Sequence, residues 1–278
     1  MAKPYFPPLK SLSQNFLRDE TIAKNLVARL PLTSKDKIVE LGAGRGAITF
    51  LLAEKAAKVM AVEIDTGHFT ELKKKAAESR HENIEVVHAD ILKADWQEWA
   101  RQMAKPFYVV GNLPYHIATP ILFKIIENSS LLKGAYVMLQ KEVADRLLGQ
   151  PGQKTYGVLT VLIGYYAQVR TIIQLRPGSF FPKPKVSSTF VELLFRSELN
   201  PPIEDEGLFR WTVRAAFNQR RKQIKNALTA DGRFSVDLIE KALEKNQIDP
   251  QRRGETLTID QFVSLANKLS ALSSPDGS

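Results

Sequence analysis

The chain has 278 residues, 44% of them apolar and 25% charged, with a formal net charge of +9. That length suits one large domain plus a small one, and the apolar content is enough for a packed core rather than a disordered chain. There is no cysteine, which excludes disulfides, thiolate zinc sites and cysteine nucleophiles, and the four histidines (His68, His81, His88, His116) lack ligand spacing, so no metal is expected.

Residues 1–13 carry proline and lysine and read as an extended arm, without the apolar core of a signal peptide. No apolar run is long enough to span a bilayer, so the expected location is cytoplasmic, without a membrane partner. Residues 19–30 read as an amphipathic helix, with Ile22, Leu26 and Leu30 in step. Strands and helices then alternate: strands at 37–41, 58–63, 84–88, 107–111 and 135–139, and helices at 47–55, 68–79, 96–102 and 117–127. Repeated strand–helix units imply a parallel sheet with helices on both faces. A helix over 157–165 and strands near 167–175 and 189–195 follow, the latter rich in β-branched and aromatic residues that suit added antiparallel strands. Beyond Asn200-Pro201-Pro202 only helices are expected, at 207–228, 236–246 and 259–272, the last opened by a capping box of Thr258 and Gln261. The expected division is an arm (1–13), an α/β domain (14–202) and a small all-α domain (203–278).

The segment Ile38-Val39-Glu40-Leu41-Gly42-Ala43-Gly44-Arg45-Gly46 puts three glycines directly after a strand and before a helix. Glycines there allow a tight turn and close backbone approach to a ligand. The second strand ends in Glu63, followed by Ile64, and a carboxylate at that point can accept the ribose hydroxyls of a nucleoside. The third leads to Asp90 and Ile91, where an acid can accept from an adenine amine. All three features fall at the carboxyl ends of adjacent parallel strands, where open sheets bind ligands. No Walker lysine follows the glycines, which disfavours an NTPase. Together they suit an adenosyl group, as in Rossmann-like class I methyltransferases that use S-adenosylmethionine and release S-adenosylhomocysteine.

The fourth strand runs into Asn112-Leu113-Pro114-Tyr115. An adenine N6 is a weak nucleophile because its lone pair is delocalised into the ring. Two acceptors, Asn112 Oδ1 and the Leu113 carbonyl, could hold both N–H bonds and draw the nitrogen towards tetrahedral geometry, with Pro114 fixing the backbone. Tyr115 could stack on the extruded base. Transfer from a sulfonium chiefly needs positioning, so no dedicated base is required. Near the C-terminus, residues 210–225 hold six basic side chains and no acid. On one continuous helix, Arg210, Arg214, Arg221 and Lys225 fall along one flank, with Lys222 nearby, suited to RNA phosphates. Arg220 falls instead inside the apolar stripe, where it should be partly buried and paired with an acid or with carbonyls. Lys183 and Lys185 are further phosphate candidates.

Over nearly its whole length the sequence resembles the small-subunit ribosomal RNA adenine dimethyltransferases of the KsgA/RsmA family. The resemblance is carried by Ser13-Gln14-Asn15-Phe16-Leu17, by the glycine turn with Glu63, Asp90 and Asn112, and by Lys141–Arg146 with Gln150-Pro151-Gly152. It is carried also by the signature from Phe180 to Ser188 and by Phe217 with Gln219-Arg220-Arg221-Lys222. It implies Asn15 and Leu17 as cofactor contacts and Phe180 as a second stacking face opposite Tyr115. It also implies dimethylation of two adjacent adenosines near the 3′ end of 16S rRNA in an immature 30S subunit, by a monomer. Ser13, His116 and Thr66-Gly67-His68 depart from the usual pattern. Two other readings remain: a large-subunit rRNA adenine methyltransferase of the macrolide-resistance type, and a non-catalytic RNA-binding factor on the same fold.

Overall fold

The computed structural model describes residues 16–273. In chain order the elements are β1 (Phe16–Leu17), α1 (Glu20–Ala28), β2 (Lys37–Leu41), α2 (Thr49–Ala53), β3 (Lys58–Glu63), α3 (Thr66–Glu78), β4 (Ile84–His88), α4 (Trp96–Met103), β5 (Phe107–Asn112), α5 (Ala118–Glu127), β6 (Leu132–Gln140) and α6 (Lys141–Leu147). Then come α7 (Val158–Tyr166), β7 (Ala167–Leu175), β8 (Phe180–Phe181), β9 (Ser188–Phe195), α8 (Glu206–Asn218), α9 (Ile224–Thr229), α10 (Val236–Lys245) and α11 (Ile259–Ser273).

A seven-stranded sheet takes the order β4-β3-β2-β5-β6-β9-β7. The pairs β4–β3, β3–β2, β2–β5 and β5–β6 are parallel, and β9 runs antiparallel to β6. The parallel strands bury both faces: Ile38, Val39, Val59, Met60, Val109, Val110 and Val137 have no exposed surface. This is why they read as unbroken apolar runs rather than as alternations. Four helices start at an aspartate whose side chain accepts from the first turn: Asp19, Asp65, Asp95 and Asp205. The strand order reverses beside β2, so the carboxyl ends of β2, β3, β4 and β5 form the crevice where such sheets take ligands.

The chain divides into two compact units. One holds the chain up to Ala144 with Val169–Phe195, the other Asp145–Gln168 with Arg196–Ser278. The expected boundary near residue 203 is therefore corrected, because residues 145–168 belong with the helical unit. The reason lies in contacts that single-strand and single-helix patterns do not show. The Tyr156 hydroxyl donates to the Leu257 carbonyl at 2.8 Å, and Ile259 Cδ1 approaches Gly164 closely enough that a Cβ there would meet it at 2.8 Å. Within the helical unit Phe209, Val213, Phe262 and Leu265 are fully buried, and Thr258 and Gln261 form the reciprocal capping box expected at the start of α11.

A second correction concerns the continuous helix expected over 207–228. It breaks after Asn218, and the chain turns through 219–222 before α9. There Gln223 bridges Arg253, and Ile224 N–H donates to the Arg252 carbonyl at 2.6 Å. Tertiary pairing has replaced helical hydrogen bonds across one turn. The arm expected over 1–13, and Asn15, lie outside the described residues. β1 follows directly, pairing antiparallel with β8 (Phe16 opposite Phe181, Leu17 opposite Phe180), a two-stranded ribbon too short to show a sequence period.

Candidate active site

The glycine turn after β2 is built around the Glu63 carboxylate at the tip of β3. Gly44 N–H donates to Oε2 at 2.7 Å, while Ile64 and Asp65 N–H groups donate to Oε1 at 2.9 and 2.8 Å. Three of roughly four carboxylate lone-pair sites are thus taken by backbone, which fixes the acid and leaves room for about one further donor. Gly44 has φ +56°, and a Cβ there would come within 2.7 Å of the Phe16 ring. Only glycine lets that ring close over the turn. Gly42, at φ +72°, donates with Ala43 to the Val62 carbonyl and ties the turn to β3.

These elements enclose one side of a cavity. It is lined by Phe16, Gly42, Glu63, Ile64, Asp90, Ile91, Leu92 and the run Asn112 to Ile117. Nine of the sequence-derived site residues therefore meet in one place: Gly42, Glu63, Ile64, Asp90, Ile91, Asn112, Leu113, Pro114 and Tyr115. Asp90 Oδ1 accepts from Leu92 N–H at 2.9 Å, which turns the loop after β4 towards the cavity. Ile64 is 48% exposed, an apolar wall with its carbonyl held 2.9 Å from His88 Nε2, and that imidazole stacks on Phe69. Beneath the turn, Glu40 is buried and accepts from the Thr49 hydroxyl at 2.5 Å. Burial pushes its carboxyl up to about 8, the Thr49 hydrogen bond opposing and the Glu63 charge adding.

Asn112 ends β5 in register with Met138 of β6. Pro114 (φ −58°, ψ 126°) turns the chain into a short 3-10 segment, Tyr115–Ile117. Leu113 is buried, and no described N–H donates to its carbonyl. The Tyr115 hydroxyl lies 2.6 Å from Ser188 Oγ, and burial pushes the phenol pKa up, with the Ser188 hydrogen bond opposing.

Several residues stand elsewhere than expected. Leu17 packs against the core and is not in the cavity wall; its neighbour Phe16 is. Phe180 is buried in the same core and makes no ring contact with Tyr115. The antiparallel register with β1 points Phe180 inwards and leaves Phe181 51% exposed. Phe16, Leu92 and His116, each beside a residue that the motifs marked, and Ile117, two past Tyr115, were missed.

In the helical unit the six basic residues separate into two sets. Arg220 donates to Glu255 at 2.5 Å and to the carbonyls of Gln153 and Tyr156 at 3.1 and 3.0 Å, as its place in the apolar stripe predicts. Arg210 pairs with Glu206 and Lys225 with Glu240, at 2.9 and 2.8 Å. Those two are corrected from free phosphate contacts to paired groups, because acids outside the 210–225 window reach them. Arg214, Arg221 and Lys222 are exposed and carry no ion pair among the described residues, like Lys183 and Lys185 of the other unit. The Gln223–Arg253 bridge brings exposed Arg253 beside the same turn, a basic group that the sequence window could not show. Among the described residues no cluster of three or more His, Asp or Glu could hold a metal, and no helix is long and apolar enough to cross a membrane.

Residues 9–271 match the model of the family described as ribosomal RNA adenine dimethylase. A ribosomal RNA small subunit methyltransferase A from Geobacillus sp. (strain WCH70) is 41% identical over 269 residues, covering 94% of this chain and 91% of the relative. A crystal structure of a dimethyladenosine transferase from Plasmodium falciparum aligns with TM-score 0.78 at 25% identity, covering 91% of this chain and 98% of that one. That of the 23S rRNA methyltransferase ErmE aligns with TM-score 0.68 at 26% identity, covering 92% of this chain and all of that one. The chain belongs to the ribosomal RNA adenine dimethylase family and has the class I methyltransferase fold, and membership implies S-adenosylmethionine as methyl donor.

Proposed function

We propose that this ribosomal RNA adenine dimethylase acts on the N6 amines of two adjacent adenosines near the 3′ end of 16S rRNA in an immature small subunit, working as a cytoplasmic monomer. The observation that carries the reading is the convergence of Asn112, Tyr115, Glu63 and Asp90 on one cavity at the strand tips. The small-subunit target rests on the likeness to the Geobacillus methyltransferase, at 41% identity over nearly the full length of both chains.

The residues present fit an adenosyl cofactor. Glu63 keeps about one acceptor site for a ribose hydroxyl, Asp90 can accept from the adenine amine, and Ile64 and Ile91 supply apolar walls for the ring. When bound, S-adenosylmethionine supplies an electrophilic methyl group. The protein then has to place the nucleophile. Asn112 Oδ1 and the Leu113 carbonyl accept the two N6 hydrogens, and the half-buried Tyr115 ring offers a stacking face. Phe180 would have to leave the core to offer a second face. Arg214, Arg221, Lys222 and Arg253, with Lys183 and Lys185, are the groups free to meet phosphates, and such contacts position RNA without reading its bases.

The test is methyl transfer to 30S particles lacking the modification, with the sites mapped by primer extension. Two neighbouring dimethylated adenosines near the 3′ end of 16S rRNA are expected. Modification of 23S but not 16S rRNA would overturn the target, and no transfer to either would overturn the enzymatic reading.

A further inference from the structure

Tyr115 presents a puzzle of control. Pro114 sets the backbone before it, but a tyrosine ring still turns about two side-chain bonds, and a stacking wall that turns cannot hold a base. The structure supplies a second anchor. The Tyr115 hydroxyl is 2.6 Å from Ser188 Oγ, and Ser188 has no exposed surface. Ser188 does not sit on a loop. It opens β9 in register with Gln140 at the end of β6, and the carbonyl of Ser187 accepts from Lys141 N–H at 2.9 Å. The ring is thus fixed at its Cα by β5 and Pro114, and at its hydroxyl by β9. The same nine-residue signature that ends at Ser188 exposes Phe181, Lys183, Lys185 and Val186, while its last residue is buried and hydrogen-bonds the tyrosine.

We infer that Ser188 is a positioning residue, which sets the Tyr115 ring and thereby controls whether the enzyme proceeds from one methyl group to two. The inference rests on the reading of Tyr115 as the stacking face. Each transfer forms an N6–C bond, breaks the S–CH3 bond of the donor, and releases one N6 proton to solvent. In the first transfer the amine offers two hydrogens, one to Asn112 Oδ1 and one to the Leu113 carbonyl. After it, N6-methyladenine has one hydrogen left, so one of those two acceptors loses its partner. The base is then oriented by a single hydrogen bond and by the stacking wall. A wall that can rotate therefore slows the second transfer more than the first.

The experiment compares Ser188→Ala, Tyr115→Phe and the double variant, each binding S-adenosylhomocysteine as the wild type does. Mono- and dimethyladenosine are counted by mass spectrometry of digested rRNA over time. Either single change should slow the second methylation about tenfold and the first only a few-fold, so monomethyladenosine accumulates, and the double variant should be no worse than either single one. A wild-type product ratio in Tyr115→Phe or Ser188→Ala overturns the inference, as does a double variant whose defect is the product of the two. Tyr115→Ala separates the two levels of the argument. Near-normal transfer there overturns the stacking reading itself, whereas loss of both methylations there with a normal Ser188→Ala overturns only the role of Ser188.

Discussion

The strand-tip cleft and the basic turn at 219–223 solve the problem of holding a polar side chain in different ways. In the cleft the polar acceptors are fixed by backbone, and the Tyr115 ring is tied by a side chain, through Ser188. Glu63 is held by three N–H groups, Asp90 by one, and Asn112 by its place at the end of a paired strand. In the helical unit the basic groups are sorted by other side chains: Glu255 takes Arg220, Glu206 takes Arg210 and Glu240 takes Lys225. Backbone fixation is local and follows from where a strand ends. Side-chain sorting depends on residues up to 35 positions away, as for Arg220 and Glu255. The first kind of site can be read from a sequence, and the second only in part.

The largest effect that would break this comparison concerns Asn112. Asn112→Ala should lower methyl transfer by at least roughly a hundredfold, as loss of a preorganised polar contact to the reacting group does. RNA affinity should stay near wild type, because the groups free to meet phosphates lie elsewhere. Turnover near normal in a radiolabelled methyl-transfer assay would mean that the cleft does not act through fixed acceptors at all.

Legibility follows the same division. The five parallel strands, the glycine turn and both acids stood out because a strand buried on both faces is an apolar run, and the residue after it lies at the ligand edge. Phe16 was hidden behind Leu17 because a two-residue strand has no period from which to read a face. Phe180 and Phe181 pose the same difficulty, and only the register with β1 decides which one points inwards. The break after Asn218 was hidden because Val213, Phe217, Ile224 and Leu228 keep helical spacing straight through it. Arg220 was readable for the opposite reason: a charge inside an apolar stripe must find a partner.

A smaller effect probes how the cleft is supported from below. Glu40 sits under the glycine turn with its carboxyl pushed from 4.5 up to about 8 by burial, against the Thr49 hydrogen bond and with the Glu63 charge adding. Its folded value lies above its unfolded one, so the folded state holds a proton that the unfolded state releases. Stability from this group is present below about 4.5 and is lost as pH rises towards 8. Glu40→Gln keeps a neutral side chain of the same shape. Its stability relative to wild type should grow by up to about 1.4 kcal/mol per pH unit across that window. Urea unfolding at the two ends of the window measures this, and a constant difference would mean that Glu40 is ionised beneath the turn.

The smallest effect is the sharpest test of the sorting in the helical unit. Arg221 and Arg210 have the same side chain and stand on one flank of the helix that periodicity suggests. A partner-free guanidinium can release a counterion from RNA when it meets a phosphate, whereas one bound to a carboxylate must first give up that partner. Arg221→Ala should therefore weaken binding to the small-subunit RNA and reduce the slope of log affinity against log salt by roughly one. Arg210→Ala should leave that slope unchanged, since its Nε is 2.9 Å from Glu206 Oε1. Equal slope changes in the two variants would mean that the Glu206 pair opens on RNA, and that the flank acts as the continuous basic face which periodicity alone describes.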